Sequence, residues 1–161
     1  MAKRDKRYLI KGLKKSMNLE DASKIILDEK LKSVFLFIDL FFEDDSVKNL
    51  HKLRITLRRF RYLLESLYLC IDDKLFSAVL RKTRHILDCL GEGRDQDMFV
   101  SKFSGITRDK KILCSEEVSE IIDLEKVETR QKIKRELIKF ICDKNVNKFF
   151  RKNKIERGNE T

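Results

Sequence analysis

Along most of the chain, apolar residues return every three or four positions, the spacing of a helix rather than the alternation of a strand. Over residues 21–43, Ile25, Leu31, Val34, Phe35, Ile38 and the Phe41/Phe42 pair keep that period. Asp21 stands in front of it as an N-cap. The acidic run Glu43-Asp44-Asp45-Ser46 then makes a turn, with Asp45 or Ser46 capping the next helix. A second helix is predicted over 47–69 and a third over 74–101, with Asp72-Asp73 supplying the turn and cap between them. Residues 102–114, which hold Gly105 among mixed polar residues, read as a loop. Ser115-Glu116-Glu117 opens a fourth helix that runs to about residue 150, with a break near Asp143–Asn147. Residues 1–20 form a basic arm, either flexible or a short helix, and the tail 151–161 has almost nothing to pack. The expectation is an all-α domain over 21–150, a four-helix bundle with long helices and short connections.

The second helix carries two stripes. Wound at about 100° per residue, Leu50, Leu53, Leu57, Phe60, Leu64 and Leu67 fall on one narrow seam, the core-facing side. About 120° round the helix lie His51, Arg54, Arg58, Arg61 and Glu65, stacked as neighbours at intervals of three or four. Three guanidiniums on one face repel each other by a few tenths of a kcal/mol per pair, and only Glu65 relieves them. Two readings are open. An anion chain beside the helix would turn the repulsion into charge-assisted contacts, or acids from neighbouring helices pair with the arginines. In the first reading His51 donates to a phosphate oxygen and Tyr62, flanking the stripe, offers its hydroxyl. Arg59 points to solvent.

The third helix repeats the pattern. Leu80, Leu87, Leu90 and Met98 form its seam, with Val79 and Ile86 beside it, while Arg81, Arg84, Asp88, Gly91 and Asp95 occupy the adjoining face. Lys82 and His85 lie off that face. Gly91 and Gly93 each disfavour a helix interior by about 1 kcal/mol. Either the helix breaks there, or the missing side chains let another helix or a ligand come close. If the helix continues, Arg94 and Asp97 fall on the apolar seam. An Arg94–Asp97 pair, or Asp95 and Asp97 orienting Arg94 toward an anion, would resolve the charge there.

Charge sharpens this picture. The 161 residues carry a formal net charge of +10, contain no proline and only five glycines, and are 42% hydrophobic, too apolar for a disordered chain. The basic charge is concentrated: residues 1–20 sum to +5, 47–65 to +5 and 128–154 to +7, so the remainder must sum to −7. Such focusing suits a polyanion partner, and a Lys-rich solvated face is the plainer explanation. Cys70, Cys89, Cys114 and Cys142 lie in no C-x-x-C or zinc-like spacing and read as reduced, mostly buried thiols of a cytoplasmic protein. The apolar run 34–42 is too short to span a bilayer and holds Asp39.

The segment L-H-K-L-R-I-T-L-R-R-F-R-Y at 50–62, followed by L-G-E-G-R-D-Q-D at 90–97, resembles the CHAD domain, the conserved-histidine α-helical domain. The first segment matches that family's H-x-x-R-x-x-x-R-x-x-R helix and the second its L-G-x-x-R-D-x-D step. The order of helices and the long basic fourth helix, ending N-K-F-F-R-K, also correspond, so the resemblance covers about residues 21–150. It implies an all-helical domain that binds inorganic polyphosphate in a basic groove, with contacts from His51, Arg54, Arg58, Arg61 and Arg94. Arg81, Lys82 and Arg84 are added from the third helix, and Asp95 and Asp97 are structural. One departure stands out: family members usually carry two such halves, and this chain has one half. A two-fold homodimer would rebuild the groove, and association with polyphosphate granules is part of the same expectation.

Other function classes remain in view. The charge alone would suit a nucleic-acid binder, although no helix-turn-helix, zinc finger or aromatic stacking platform is visible. A structural adaptor would pair the basic stripe internally and expose an apolar face. A hydrolase of phosphate chains would hold a metal with clustered carboxylates. The only D-x-D, Asp95 and Asp97, points apart on a helix, and His51 has no histidine at i+3 or i+4. No cofactor, no metal and no catalysis are expected.

Overall fold

A computed structural model describes residues 10, 12–68, 73–109 and 115–153. Its elements are α1 (Leu19–Glu43), α2 (Val47–Ser66), α3 (Asp73–Asp109), α4 (Glu116–Ile141) and α5 (Lys144–Asn153). No strand occurs among the described residues, so the all-α expectation holds, with five helices in place of four.

Local chemistry explains the boundaries. α1 begins two residues before the expected Asp21. Asn18 is the cap: its Oδ1 accepts the Asp21 N–H at 2.8 Å and its Nδ2 donates back to Asp21 Oδ2 at 3.0 Å. Asparagine caps as well as aspartate, and Asp21 gains more inside the first turn, where Glu20 and Asp21 face the positive helix end. Ser46 caps α2, as one of the two expected residues, and Asn49 Nδ2 locks the turn by donating to the Asp44 carbonyl at 2.9 Å. Ser115 caps α4 as expected.

α3 does not stop at residue 101. It runs to Asp109, so residues 102–109 of the expected loop are helical. Gly105 alone is too weak a breaker, because one helical glycine disfavours the helix by only about 1 kcal/mol and no proline follows. Residues 110–114, Cys114 among them, lie outside the described residues, as do Cys70, Asp72 and residues 1–9 and 11 of the N-terminal arm. At the other end, the expected break falls at Cys142–Asp143. Asp143 Oδ1 accepts the N–H groups of Asn145 at 2.9 Å and Val146 at 3.1 Å, and a new helix starts there. Residues 151–153 of the expected tail belong to it.

The core follows the α2 seam: Leu50, Leu53, Leu57, Phe60 and Leu64 are all fully buried. Around them pack Leu27, Leu31, Val34, Ile38 and Phe41 of α1, Ile133, Leu137 and Phe140 of α4, and Val146 and Phe149 of α5. Phe35 meets Phe150 edge-on at 5.6 Å and ties α5 to α1. The expected α3 seam is buried at Leu80 and Leu90, with Val79 and Ile86 beside it and Leu87 packed against the core. Thr83 joins it, and beyond Leu90 it continues through Gly93 and Asp97, so Met98 is exposed. Of the cysteines, Cys89 is buried and Cys142 exposed, so the expectation of mostly buried thiols meets an exception at Cys142.

The two glycines resolve differently. The helix continues through both, and Gly93 is the site of close approach. A Cβ there would meet Ile133 Cδ1 at 2.7 Å, Arg130 Nη1 at 3.0 Å and Leu50 Cδ2 at 3.3 Å, whereas Gly91 has nothing within 4 Å. Gly91→Ala should therefore raise stability by up to about 1 kcal/mol through helix propensity. Gly93→Ala should lower it, since overpacking of about 1–3 kcal/mol outweighs that gain. Thermal unfolding of the two variants checks this, and shifts of the same sign would contradict it.

Candidate anion-binding site

Because the α2 seam is buried at Leu50, Leu53, Leu57, Phe60 and Leu64, the residue after each is held at the bundle's edge. Those residues are His51, Arg54, Arg58, Arg61 and Glu65. His51 and Arg58 are exposed, Arg54 and Arg61 half-buried. The Nε atoms of Arg54 and Arg61 are buried without a hydrogen-bond partner, so their stems pack on the bundle and direct the terminal nitrogens outward. Arg61 lies 3.9 Å from Glu65 and its guanidinium carbon sits 4.6 Å from the exposed Tyr62 ring. Among the described residues, no acid comes within ion-pair distance of His51, Arg54 or Arg58.

Two contacts set the register of α3 beside this edge. Arg84 donates to Glu65 at 2.9 Å, and Gly93 lies against Leu50. The helices therefore run antiparallel, with Arg94 level with His51 and Arg54, and the open Gly91 level with Arg54 and Arg58. Arg94 is half-buried and, among the described residues, has no ion pair. Arg81 and Arg84 are exposed and line a shallow depression of about 500 Å3 with Ser77, Leu80, His85 and Asp88.

Lys82 and His85 face away from α2. Lys82 pairs with Asp143 at 2.8 Å, and His85 with Glu136 at 3.0 Å. Lys82, carried over from the resemblance as a ligand contact, is thus held at the α5 start and does not join the α2 edge.

The sequence reading missed Arg130. It expected Asp97 to pair with Arg94 or to orient it. Instead Arg130 Nη2 donates to Asp97 Oδ1 at 2.7 Å, and its Nε donates to the Asp45 carbonyl at 3.0 Å. Both side chains are almost fully buried, at 5% and 2% exposure, where an unpaired charge is costly. The signal was present: Arg130 shares the apolar seam of Ile133, Leu137 and Phe140, and a charge on a seam calls for an opposite one. Asp95 is exposed while Asp97 is buried, so the D-x-D splits. Among the described residues no group of three or more His, Cys, Asp or Glu could hold a metal ion. No described helix is long and apolar enough to cross a membrane.

A family model for the CHAD domain matches residues 6–139. No curated protein and no solved structure matches the chain significantly.

The Lys82–Asp143 pair gives a pH signature. Burial pushes the Asp143 carboxyl up, but the Lys82 ammonium and the N–H groups of Val146 and Asn145 outweigh it and hold it below its ordinary value of 3.8. A depressed carboxyl contributes stability that is fully present above that ordinary value and is lost as pH falls through the folded-state value. Asp143→Asn keeps a capping oxygen but cannot titrate. Its unfolding free energy should fall less steeply than wild type below about pH 4, measured by denaturant titration. Superimposable acid limbs would contradict this.

Proposed function

This chain belongs to the CHAD-domain family, and from that membership we propose that it binds inorganic polyphosphate along the α2 edge, without catalysis. The observation that carries the reading is the lack of any ion-pair partner for Arg54 and Arg58 among the described residues, whereas Lys82, Arg84, Arg130, Lys132 and Lys134 are each paired. A purely structural stripe has acids facing it. A polyphosphate chain supplies a row of anionic oxygens that accept charge-assisted hydrogen bonds, bidentate ones from arginine.

In this reading the chain lies in a groove between α2 and α3. His51, Arg54, Arg58 and Arg61 span about 15 Å of helix at 1.5 Å per residue and make the main contacts. Arg94 and Arg84 approach from α3, with Arg81 beyond them, and the Tyr62 hydroxyl donates from the flank. Gly91 leaves room for close approach. Lys82 contributes to the surrounding positive potential, since Asp143 already holds its ammonium. Glu65 neutralises part of Arg61 and Arg84 and marks the end of the strong contacts. Cytoplasmic, granule-associated polyphosphate is the partner this reading supplies.

The test compares labelled long-chain polyphosphate with single-stranded DNA, for wild type and Arg54→Ala/Arg58→Ala. Wild type should prefer polyphosphate and bind it less tightly as salt rises, because each neutralised phosphate releases counterions, by analogy with nucleic acids. The double variant should lose on the order of 10–100-fold in affinity, from two charge-assisted contacts, while its circular dichroism shows the helical fold retained. Equal binding by both proteins, or preference for DNA at equal phosphate concentration, would overturn the proposal.

A further inference from the structure

Beyond the Arg130–Asp97 pair, α3 and α4 leave the bundle together. No described residue between Leu90 and Ile133 belongs to the hydrophobic core, and residues 115–129 are all exposed or half-buried. The projecting parts are residues 98–109 and 116–129, and at their base Asp123, Lys126 and Val127 share a pocket with Asp45 of the turn before α2. Two helices alone bury one narrow seam, and a stable layer architecture needs a second surface.

The projection has an apolar surface ready for one. Phe99, Phe103 and Ile106 recur at i, i+4 and i+7 and share one face of α3, and the Phe99 and Phe103 rings stack at 5.9 Å. On α4, Val118, Ile121 and Leu124 follow at intervals of three. The pairs Gly93–Ile133 and Asp97–Arg130 set the register, so residues whose numbers sum to about 227 lie level. Ile106 is thus level with Ile121, and Phe103 with Leu124. Phe99 is 59% exposed, Ile106 53%, Ile121 56% and Leu124 64%. At about 200 Å2 per large apolar side chain, those residues with Val118 leave roughly 550 Å2 of apolar surface in water. A homodimer interface of about 800 Å2 per partner is about 65% apolar, which asks for about the same amount.

Charge selects the occupant. Residues 98–109 of α3 contain Lys102 and Arg108 with a single acid, Asp109 at the tip, while residues 116–129 of α4 contain six acids and only Lys126 as a base. One hairpin is therefore basic on one helix and acidic on the other. A second hairpin laid face to face, about a two-fold axis parallel to the helices, puts each α3 over the partner's α4. Basic then meets acidic twice, and the two apolar faces close on each other as an antiparallel four-helix layer.

We propose that the α3–α4 projection is a homodimerisation surface, joining two copies of this chain through Phe99, Phe103, Ile106, Val118, Ile121 and Leu124. The dimer carries two α2 edges. It requires no polyanion, so its test is independent of the binding reading, and failure of either leaves the other standing.

Sedimentation equilibrium of the full chain, free of polyanion, tests it at micromolar and higher concentration. Wild type should be a dimer. Ile121→Lys/Leu124→Lys buries like charges in the contact and should weaken association at least 100-fold, roughly the effect of a few kcal/mol. Both residues are exposed, so circular dichroism should be unchanged, and Ile106→Lys provides the same test from α3 should the pair fail to fold. Lys102→Glu should weaken the dimer several-fold. A monomeric wild type, or a dimer indifferent to the Ile121, Leu124 and Ile106 changes, overturns the proposal. Unchanged affinity in Lys102→Glu overturns the α3-over-α4 pairing.

Discussion

The buried Arg130–Asp97 ion pair is the contact on which the arrangement of this bundle rests. One guanidinium reaches three elements: it lies on α4, donates to Asp97 of α3 at 2.7 Å, and donates to the carbonyl of Asp45 in the turn that starts α2. Gly93 leaves room for it, since Arg130 Nη1 would lie 3.0 Å from a Cβ there. Removing one partner of such a pair costs about 3–5 kcal/mol, because the other charge is left buried. The pair is not fully satisfied: among the described residues Arg130 Nη1 and Asp97 Oδ2 find no hydrogen-bond partner. Its contribution is therefore positional as much as energetic. By fixing the start of α2 against the middle of α3, it sets Arg94 level with His51 and Arg54.

A leucine seam does the rest. The residues that bury α2 leave the next position along the helix at the boundary between core and water, where an arginine can pack its stem and present its head. The bundle thus sorts its cations. Arg130 is spent inside, Lys82 and His85 hold the α4–α5 corner, Lys132 and Lys134 bridge to Glu92 and Asp45. The α2 edge keeps His51, Arg54 and Arg58 without an acid within ion-pair distance among the described residues, and this is the physical content of the polyphosphate reading.

The periodicity of α2 was legible from Leu50 to Leu64, because an uninterrupted run with one leucine-rich seam leaves little for tertiary context to decide, although the helix ends at Ser66 and the expected seam residue Leu67 is its half-buried C-cap. So was the family, through the paired motifs at 50–62 and 90–97. The α3 seam was legible at Leu80, Leu90, Val79 and Ile86, and Asp97 was placed on it. Met98 was wrongly counted there, since it is exposed, and Thr83 and the partner of Asp97 were missed because the burial of that carboxylate depends on Arg130 from another helix. Nor did local sequence mark the end of α3: Gly105 looks like a stop, yet a single glycine is too weak a breaker and residues 102–109 stay helical. The asymmetry between the two glycines was equally out of reach, since it depends on which neighbour, Ile133 or open solvent, faces each one.

The central claim is that the cationic edge of α2, organised against α3, is where a polyanion docks. The most direct measurement is a titration with polyphosphate of defined length, followed through the arginine side-chain Nε–H signals by NMR. The buried Nε–H groups of Arg54 and Arg61 should give resolved signals in the free protein, and they should shift on addition together with those of Arg58 and Arg94, while Arg130 stays still. Shifts confined to Arg108, Arg135 or Arg151, or no saturable shift at all, would contradict the account.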